Sequence, residues 1–274
     1  MPNYTKVLCF IIILLCTVGC TITGPAIDTS VSNYHYYNLT RTGVIYSLKA
    51  NCFELGCPEI KEVDISTFKP LNDIYAVDKS NVYFRLHIIP NASPNSFKLA
   101  GGSYAIGKNN VYWYGKVIPF IKPQSFSVGT FKVDNYDVYY GIDEAAIYCG
   151  DQIISKEPLL FHKLEYNYYK DSKNIYHMPS CDTLHADPKT FQFLNKKDGA
   201  SSVYAKDSKN VYYMFLQREV IEGADPDTFE VLCTKIGPPH YAKDKNSVYG
   251  MKFGKLIRFE GADPNTFEFS ESCQ

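Results

Sequence analysis

YAKDKNSVYGMKFGKLIRFEGADPNTFEF, residues 241–269, decides how the chain is read. Its opening Tyr241, Ala242 and Lys243 alternate as a half-buried strand does, each step turning to the other face. Asp244, Lys245 and Asn246 carry turn chemistry: Asp and Asn side chains bond the backbone just ahead of them, and Asn tolerates left-handed dihedrals. Val248 and Tyr249 are of the branched and aromatic types that suit a pleated surface, so the two runs read as a hairpin. A second turn at Gly254 and Lys255 leads to a third strand at Leu256, Ile257 and Phe259. From Gly261 to Phe267, Asp263 suits a cap and Pro264 the first position of a short helical turn. Alternation resumes at once with Phe267 and Phe269, and Phe267 pins that turn to the core.

The same grammar recurs from Tyr204 to Leu232 and from Tyr168 to Leu194, and more loosely from Ile74, Tyr104 and Val133. The Val or Ile after the first turn stands at 82, 111, 138, 175, 211 and 248, in steps of 29, 27, 37, 36 and 37 residues. The closing Phe stands at 68, 97, 126, 191, 229 and 267, with Phe161 a looser member. Two landmarks on one beat mark a tandem repeat, in which no unit buries its own apolar face and stability comes from neighbours. A degenerate first unit opens at Tyr36, with Val44, Ile45 and Tyr46 as its strand and Asp64 to Phe68 as its closing turn. The expected fold is all-β: a tandem array of about seven short three-stranded antiparallel units with short helical turns. An open stack is the first choice and a propeller-like ring the alternative.

The turns that combine Asp, Lys and Asn ahead of Val-Tyr at Asp78, Asp207 and Asp244, with G-A-D-P-x-T-F at Gly223 and Gly261, resemble the DKNYY domain family of bacterial envelope-associated proteins. The resemblance covers roughly residues 72–269. It implies an envelope protein of unknown function and brings no catalytic residue with it.

The N-terminus points the same way. Lys6 precedes an apolar run from Val7 to Gly19, too short to span a bilayer and of the length of a signal-peptide core. Thr17, Val18, Gly19 and Cys20 resemble a bacterial lipobox, with Thr17 in place of the usual Leu. Residues 1–19 are then a lipoprotein signal peptide, Cys20 is lipidated, residues 20–35 are a flexible tether and 36–274 the repeat domain. An ordinary secretory signal is the alternative. Two or more acyl chains anchor stably where one does not, so the expectation is a lipid-anchored, extracytoplasmic protein on an inner or outer membrane. The composition, 45% hydrophobic and 21% charged with 23 Tyr, is globular and suits strands; a net charge of −1 gives no basic excess for nucleic acid.

Six cysteines remain after export: Cys52, Cys57, Cys149, Cys181, Cys233 and Cys273. An even number in an oxidising compartment suggests three disulfides, with fifteen possible connectivities. Cys233 and Cys273 follow their closing Phe residues in adjacent units and pair; Cys52 with Cys57 is a local bridge; Cys149 and Cys181 remain.

Candidate chemistry is sparse. His177, Cys181 and His185 would line up as metal ligands only on a helix, and Pro179 among strand and loop signals opposes one. The Asp turns hold Lys, which opposes a calcium site. No metal and no cofactor is expected. Tyr112, Trp113 and Tyr114 are the ligand-surface candidates: Trp113 shares a face with Val111 and the tyrosines share the other, so one set is core and one exposed, and exposed tyrosines can line a groove for glycan or peptide or pair across the sheet. No G-x-S-x-G, H-E-x-x-H or phosphate loop occurs, and a repeat multiplies groups where catalysis needs a unique constellation. A non-catalytic envelope lipoprotein binding a protein or cell-wall polymer is the first reading, a ligand-free spacer the second and a hydrolase the third.

Overall fold

The computed structural model describes residues 23–48, 57–133, 135–178, 180–195, 201–214, 218–232, 241–252 and 255–267. They form seven antiparallel sheets in chain order, and no sheet closes on itself. The chain divides into two compact units: Met1–Thr130 with Tyr139–Glu144 and Gly150–Gln152, and Phe131–Val138 with Ala145–Cys149 and Ile153–Gln274.

Sheet 2 shows the plan, with strands Lys69–Pro70, Tyr75–Val77, Val82–Phe84 and His87–Ile88 in sequential order. The hairpin around Asp78 pairs Ala76 with Tyr83 and Val77 with Val82. Each sheet has one strand more than the three expected, except the first, which has two. The added strand follows the closing Phe: Lys69–Pro70 leaves Phe68 and pairs with Ala76 and Val77 of the next hairpin. The closing turn of one copy therefore delivers the first strand of the next sheet, which ties successive copies through backbone hydrogen bonds as well as side chains. Within the first unit sheet 3 repeats the order over Lys98–Gly101, Tyr104–Ile106, Val111–Trp113 and Lys116–Ile118. Sheet 4 runs Ser127–Val133, Tyr136–Ile142, Ile147–Cys149 and Gln152–Ser155.

In the second unit sheet 5 comprises His162–Lys163, Tyr168–Lys170, Ile175–His177 and Asp182–Leu184. Sheet 6 comprises Gln192–Asn195, Ser201–Lys206, Val211–Tyr213 and Glu219–Val220, and sheet 7 Glu230–Val231, Ala242–Lys243, Val248–Lys252 and Lys255–Arg258.

Sheets covered on both faces bury successive residues of one strand, because neighbours along a strand point to opposite sides. Val82 and Tyr83 are both fully buried, Val82 in the cluster shared with sheet 3 and Tyr83 in the one shared with sheet 1. Val211 and Tyr212 divide in the same way between two clusters. The closing Phe fills the layer between sheets. Phe97 lies 5.4 Å from Tyr75 of its own sheet and 5.5 Å from Tyr112 of the next, ring centre to ring centre. Phe229 lies 5.3 Å from Tyr204 and 5.5 Å from Tyr249. Ala105 and Ala242, each paired across the strand with the receiving Tyr, are small enough to leave that ring room. Burial of a Phe side chain contributes about 2–3 kcal/mol, so one such ring per layer is a main source of cohesion.

Two boundaries differ from the sequence reading. The fourth copy was expected at Val133–Gly141, with its Val at 138, but that stretch belongs to a long hairpin of two seven-residue strands. The motif lies further on, at Tyr140, Asp143, Ile147 and Tyr148, of which Asp143, Ile147 and Tyr148 are buried. Phe161 is a full closing residue, 5.6 Å from Tyr176. At the other end, residues 23–35, expected as tether, are hydrogen-bonded into the fold. The Gly24 N–H donates to the Tyr37 carbonyl at 2.8 Å and the Ile27 N–H to the His35 carbonyl at 3.0 Å. Bridges from Ala26 to Tyr36 and from Ile45 to Glu59 flank the first pair of strands, His35–Tyr37 and Val44–Tyr46.

Candidate functional site

The recurring polar residues of the repeat meet where a closing turn touches the next hairpin. In the sixth copy Asp207 receives the N–H groups of Lys209 and Asn210 on one oxygen, both at 2.8 Å. Its other oxygen receives the Tyr212 hydroxyl at 2.7 Å and, from the preceding closing turn, the Asp187 N–H at 2.9 Å. Thr190 of that turn accepts the Ser208 N–H at 3.0 Å. The same clip joins Asp64 and Thr67 to Asp78 and Lys79, at 2.9 and 3.0 Å. It joins Asp225 and Thr228 to Asp244 and Lys245, at 2.8 and 3.1 Å. Lys79 also pairs with Asp64 at 2.6 Å, and Lys245 with Asp225. In the fifth copy Ser155 and Glu157 take over: the Ser155 hydroxyl donates to Asp171 at 2.6 Å, and Glu157 meets Lys173 at 2.9 Å. A second lysine, the last residue before the turn, reaches back to its own closing turn, with Lys170, Lys206 and Lys243 donating to the Pro188, Pro226 and Pro264 carbonyls at 3.0, 2.7 and 3.0 Å.

Electrostatics follow from this geometry. Burial alone pushes the Asp78, Asp171 and Asp207 carboxyls up, yet the combined N–H and hydroxyl donors outweigh it and hold all three below the ordinary carboxylate value. Their partners Tyr176 and Tyr212 are pushed up to about 12, first by burial and then by the facing carboxylate. Asp64, on the exposed side, is lowered to about 2 by the Lys79 ammonium. These groups serve cohesion: the carboxylate of each clip is shared between donors of its own hairpin and an N–H of the preceding closing turn.

The ligand-surface candidates separate. Tyr112 is in the core, 1% exposed, because the opposite face of sheet 3 is covered as well. Trp113 is half-buried and packs edge-on to Tyr114 with ring centres 4.9 Å apart. It also lies against Gly150, where an added Cβ would come within 2.8 Å of the indole and the backbone is left-handed at φ 62°. Tyr114 lies beyond the strand end in a left-handed turn residue, φ 47°, 41% exposed and edge-on to Phe84. Only Tyr114 of the two tyrosines presents a ring to solvent.

Phe120 is a surface residue that the sequence reading passed over. It is fully exposed at φ 67°, the place where other copies carry Gly223 and Gly261. A left-handed Phe costs about 1 kcal/mol relative to Gly, and its only sequence signal is an aromatic where the alignment of copies calls for glycine.

Among the cysteines, Cys149 and Cys181 form a disulfide with Cα atoms 6.2 Å apart, joining sheets 4 and 5 as expected. Cys57 is also disulfide-bonded. Cys20, Cys52, Cys233 and Cys273 lie outside the described residues. The disulfide occupies Cys181, one of the three residues weighed as metal ligands. His177 lies in a cleft of about 160 Å³ lined by Tyr168, Asp182, Thr183, Leu184 and Arg218. The Arg218 guanidinium donates to His177 Nδ1, to Ser180 Oγ at 3.0 Å and to Asp182 at 3.0 Å. Burial and then that guanidinium lower the His177 imidazole to about 4. The arrangement is a latch between sheets 5 and 6, which sequence could not show because Arg218 stands 41 residues from His177.

The model of the DKNYY family matches residues 39–101 and 104–253, more than three quarters of the chain. No curated protein and no solved structure shows significant similarity to it.

Proposed function

The chain belongs to the DKNYY family, and from that premise we propose that it is a lipid-tethered, extracytoplasmic binding protein without catalytic activity, presenting a repeated β surface to a protein or cell-wall polymer. One observation carries the reading: the polar and aromatic residues that recur along the repeat are spent on holding copies together. What varies, and what remains at the surface, are the turn tips and outer strands. In the first unit these include Tyr114 and Phe120, an exposed ring on each of two left-handed turn residues. The disulfide between Cys149 and Cys181 supports an oxidising compartment. The apolar run before Cys20 supports a lipid anchor on that residue.

The test is capture of partners from detergent-solubilised envelope by the lipidated protein, with mass spectrometry of the N-terminal peptide to read Cys20. Tyr114→Ser with Phe120→Ser is expected to lose the partner while leaving the fold intact. Tyr112→Ser does not serve, since it would open the core. A partner retained by the double variant removes this surface from the proposal, and an unmodified Cys20 removes the tether. Failure to enrich any envelope component would favour the spacer reading.

A further inference from the structure

The closing turn before sheet 5 departs from the rest of the array. It reads Glu157, Pro158, Leu159, Leu160, Phe161. At the two positions before the Phe the other closing turns carry polar pairs, Asn95–Ser96, Lys189–Thr190 and Asn265–Thr266 among them. Thr67, Thr190 and Thr228 use their hydroxyls to accept an N–H of the next turn. Here Glu157 does that work instead, accepting the Ser172 N–H at 3.1 Å and the Ser172 hydroxyl at 2.5 Å. Phe161 supplies the ring between layers, stacked on Tyr169 with ring centres 5.2 Å apart. The two leucines therefore serve neither the clip nor the core, and they stand 98% and 53% exposed. An isolated exposed Leu is ordinary surface. An adjacent pair, at positions that are polar along the rest of the array, leaves apolar area in water that the fold itself does not use.

The pair walls a cleft of about 330 Å³, completed by His162, Lys170, Asp171, Ser172, Pro188 and Lys189. That volume lies at the small end of ligand pockets. The charged residues around it differ in what they still offer. The Asp171 carboxylate is enclosed by four donors, the Lys173 and Asn174 N–H groups at 2.7 and 2.8 Å and the Ser155 and Tyr176 hydroxyls, both at 2.6 Å. Lys170 gives one of its three donors to the Pro188 carbonyl at 3.0 Å. Lys189 is exposed, and among the described residues no carboxylate lies within ion-pair distance of its ammonium. The same holds for Lys156 and Lys163, which flank the leucine pair three residues away on either side. Glu157 is taken up by Lys173 and Ser172, and Glu165 does not line the cleft. An apolar wall thus stands beside unanswered positive charge, on a chain whose net charge is −1.

We propose that Leu159, Leu160 and Lys189 form a binding groove for an acidic peptide segment of a partner protein. An apolar side chain of the segment enters between the leucines over Pro188, and its flanking carboxylates meet Lys189 and Lys170. The concavity suits an inserted side chain rather than a flat bilayer, and the free ammonium groups fix the partner's sign of charge. All of these residues lie in the second unit, so the groove is a binding surface additional to Tyr114 and Phe120 and independent of them.

The probes are short fluorescein-labelled peptides with a central Leu, Phe or Trp flanked by Asp and Glu, and the same peptides with Asn and Gln in their place. They are titrated with the full-length protein in phosphatidylcholine nanodiscs, which keep detergent out of the groove, and read by anisotropy. Saturable binding of the acidic peptides is expected, with the amide peptides about tenfold weaker. Leu159→Asn with Leu160→Thr copies the pair of the seventh closing turn, so the fold is kept, and binding should weaken about tenfold. Lys189→Glu should weaken it as much, and Tyr114→Ser with Phe120→Ser should leave it unchanged. Circular dichroism verifies that each variant is folded. The proposal is overturned if no acidic peptide binds, if the amide peptides bind equally, or if the leucine variant binds like the wild type. Loss of the peptide in the Tyr114 and Phe120 variant overturns the assignment to this groove. Phosphatidylglycerol vesicles that retain the wild type but not the leucine variant, with no peptide bound, give the patch to a membrane and overturn the proposal. A dimer that the leucine variant dissolves gives it to a second copy, with the same consequence. Envelope capture through Tyr114 and Phe120 is read separately and stands or falls by its own variant.

Discussion

The third and sixth copies solve the same problem with different chemistry. Around Asp207 the turn is held by a buried carboxylate with four donors, two from its own turn, one from Tyr212 and one from the preceding closing turn. The third copy has Gly107 in that place, and its preceding turn has Ser93 and Ser96 where Asp and Thr stand elsewhere. Yet the backbone of the turn is alike: the Gly107 N–H meets the Asn110 carbonyl at 2.8 Å, and the Asp207 N–H meets the Asn210 carbonyl at 3.0 Å. The ring between layers is also alike, Phe97 against Tyr112 at 5.5 Å and Phe191 against Tyr212 at 6.0 Å. The aromatic layer and the backbone turn therefore suffice to place a sheet on its neighbour. The carboxylate clip is an added lock, and its charge order is free to change: Lys122 and Glu144 form the ion pair reversed, at 3.6 Å, where Asp64 and Lys79 stand in the earlier copy.

The sharpest way to break this comparison is to remove the ring from both layers. Phe97→Ala and Phe229→Ala should each cost about 3–5 kcal/mol, the loss for a buried Phe with its cavity, measured by denaturant unfolding. If Phe97→Ala is mild, the third copy rests on something other than its aromatic layer. Next in size, Asp207→Ala should cost about 2–3 kcal/mol, since it strands a buried hydroxyl and several N–H groups. Hydrogen exchange should then quicken in sheets 5 and 6 and stay unchanged in sheet 3.

The same lock predicts acid sensitivity. Asp78, Asp171 and Asp207 are lowered in the folded protein, so their stabilisation is complete above the unfolded carboxylate value near pH 4. It is lost as pH falls through the folded values. Stability should fall below about pH 4, and Asp207→Ala should flatten that fall in a pH series of melting temperatures. A gain of about 1 kcal/mol is expected from Gly107→Asp, which would install the missing lock. An added Cβ there lies 3.1 Å from the Tyr112 ring, so the ring must yield by a few tenths of an ångström. Smallest is Phe120→Gly, which should stabilise by about 0.5–1 kcal/mol by relieving the left-handed backbone. A loss of partner binding in that variant, with stability up, would separate function from fold at one residue.

Much of this was legible in the sequence because the repeat is written in residues that do one physical thing each. Asp at a turn, Val and Tyr on a doubly covered strand, and Phe at the layer are local signals. They predicted the β array and its count, whereas the Cys149–Cys181 pair was reached only as the remainder once the other cysteines were paired. The fourth strand was missed because it is two to four residues long in most copies and follows a closing turn without a break. The fourth copy was misplaced because Val133 to Gly141 imitates the motif inside a long hairpin. Tyr112 was read as a surface candidate because alternation alone assumes that one face is wet.

By itself, the sequence determined the period, the strand-turn-strand grammar and the aromatic identity of the layers, since each depends on side chains within a few residues of one another. Tertiary structure decided what the polar residues bind. A carboxylate in a turn could have held a cation or faced water, and only the arrival of the preceding copy's N–H and hydroxyl groups made it a clip between sheets. The same long-range packing chose which ring stays exposed, because burial is a property of the neighbour that covers a residue and that neighbour lies a whole repeat away.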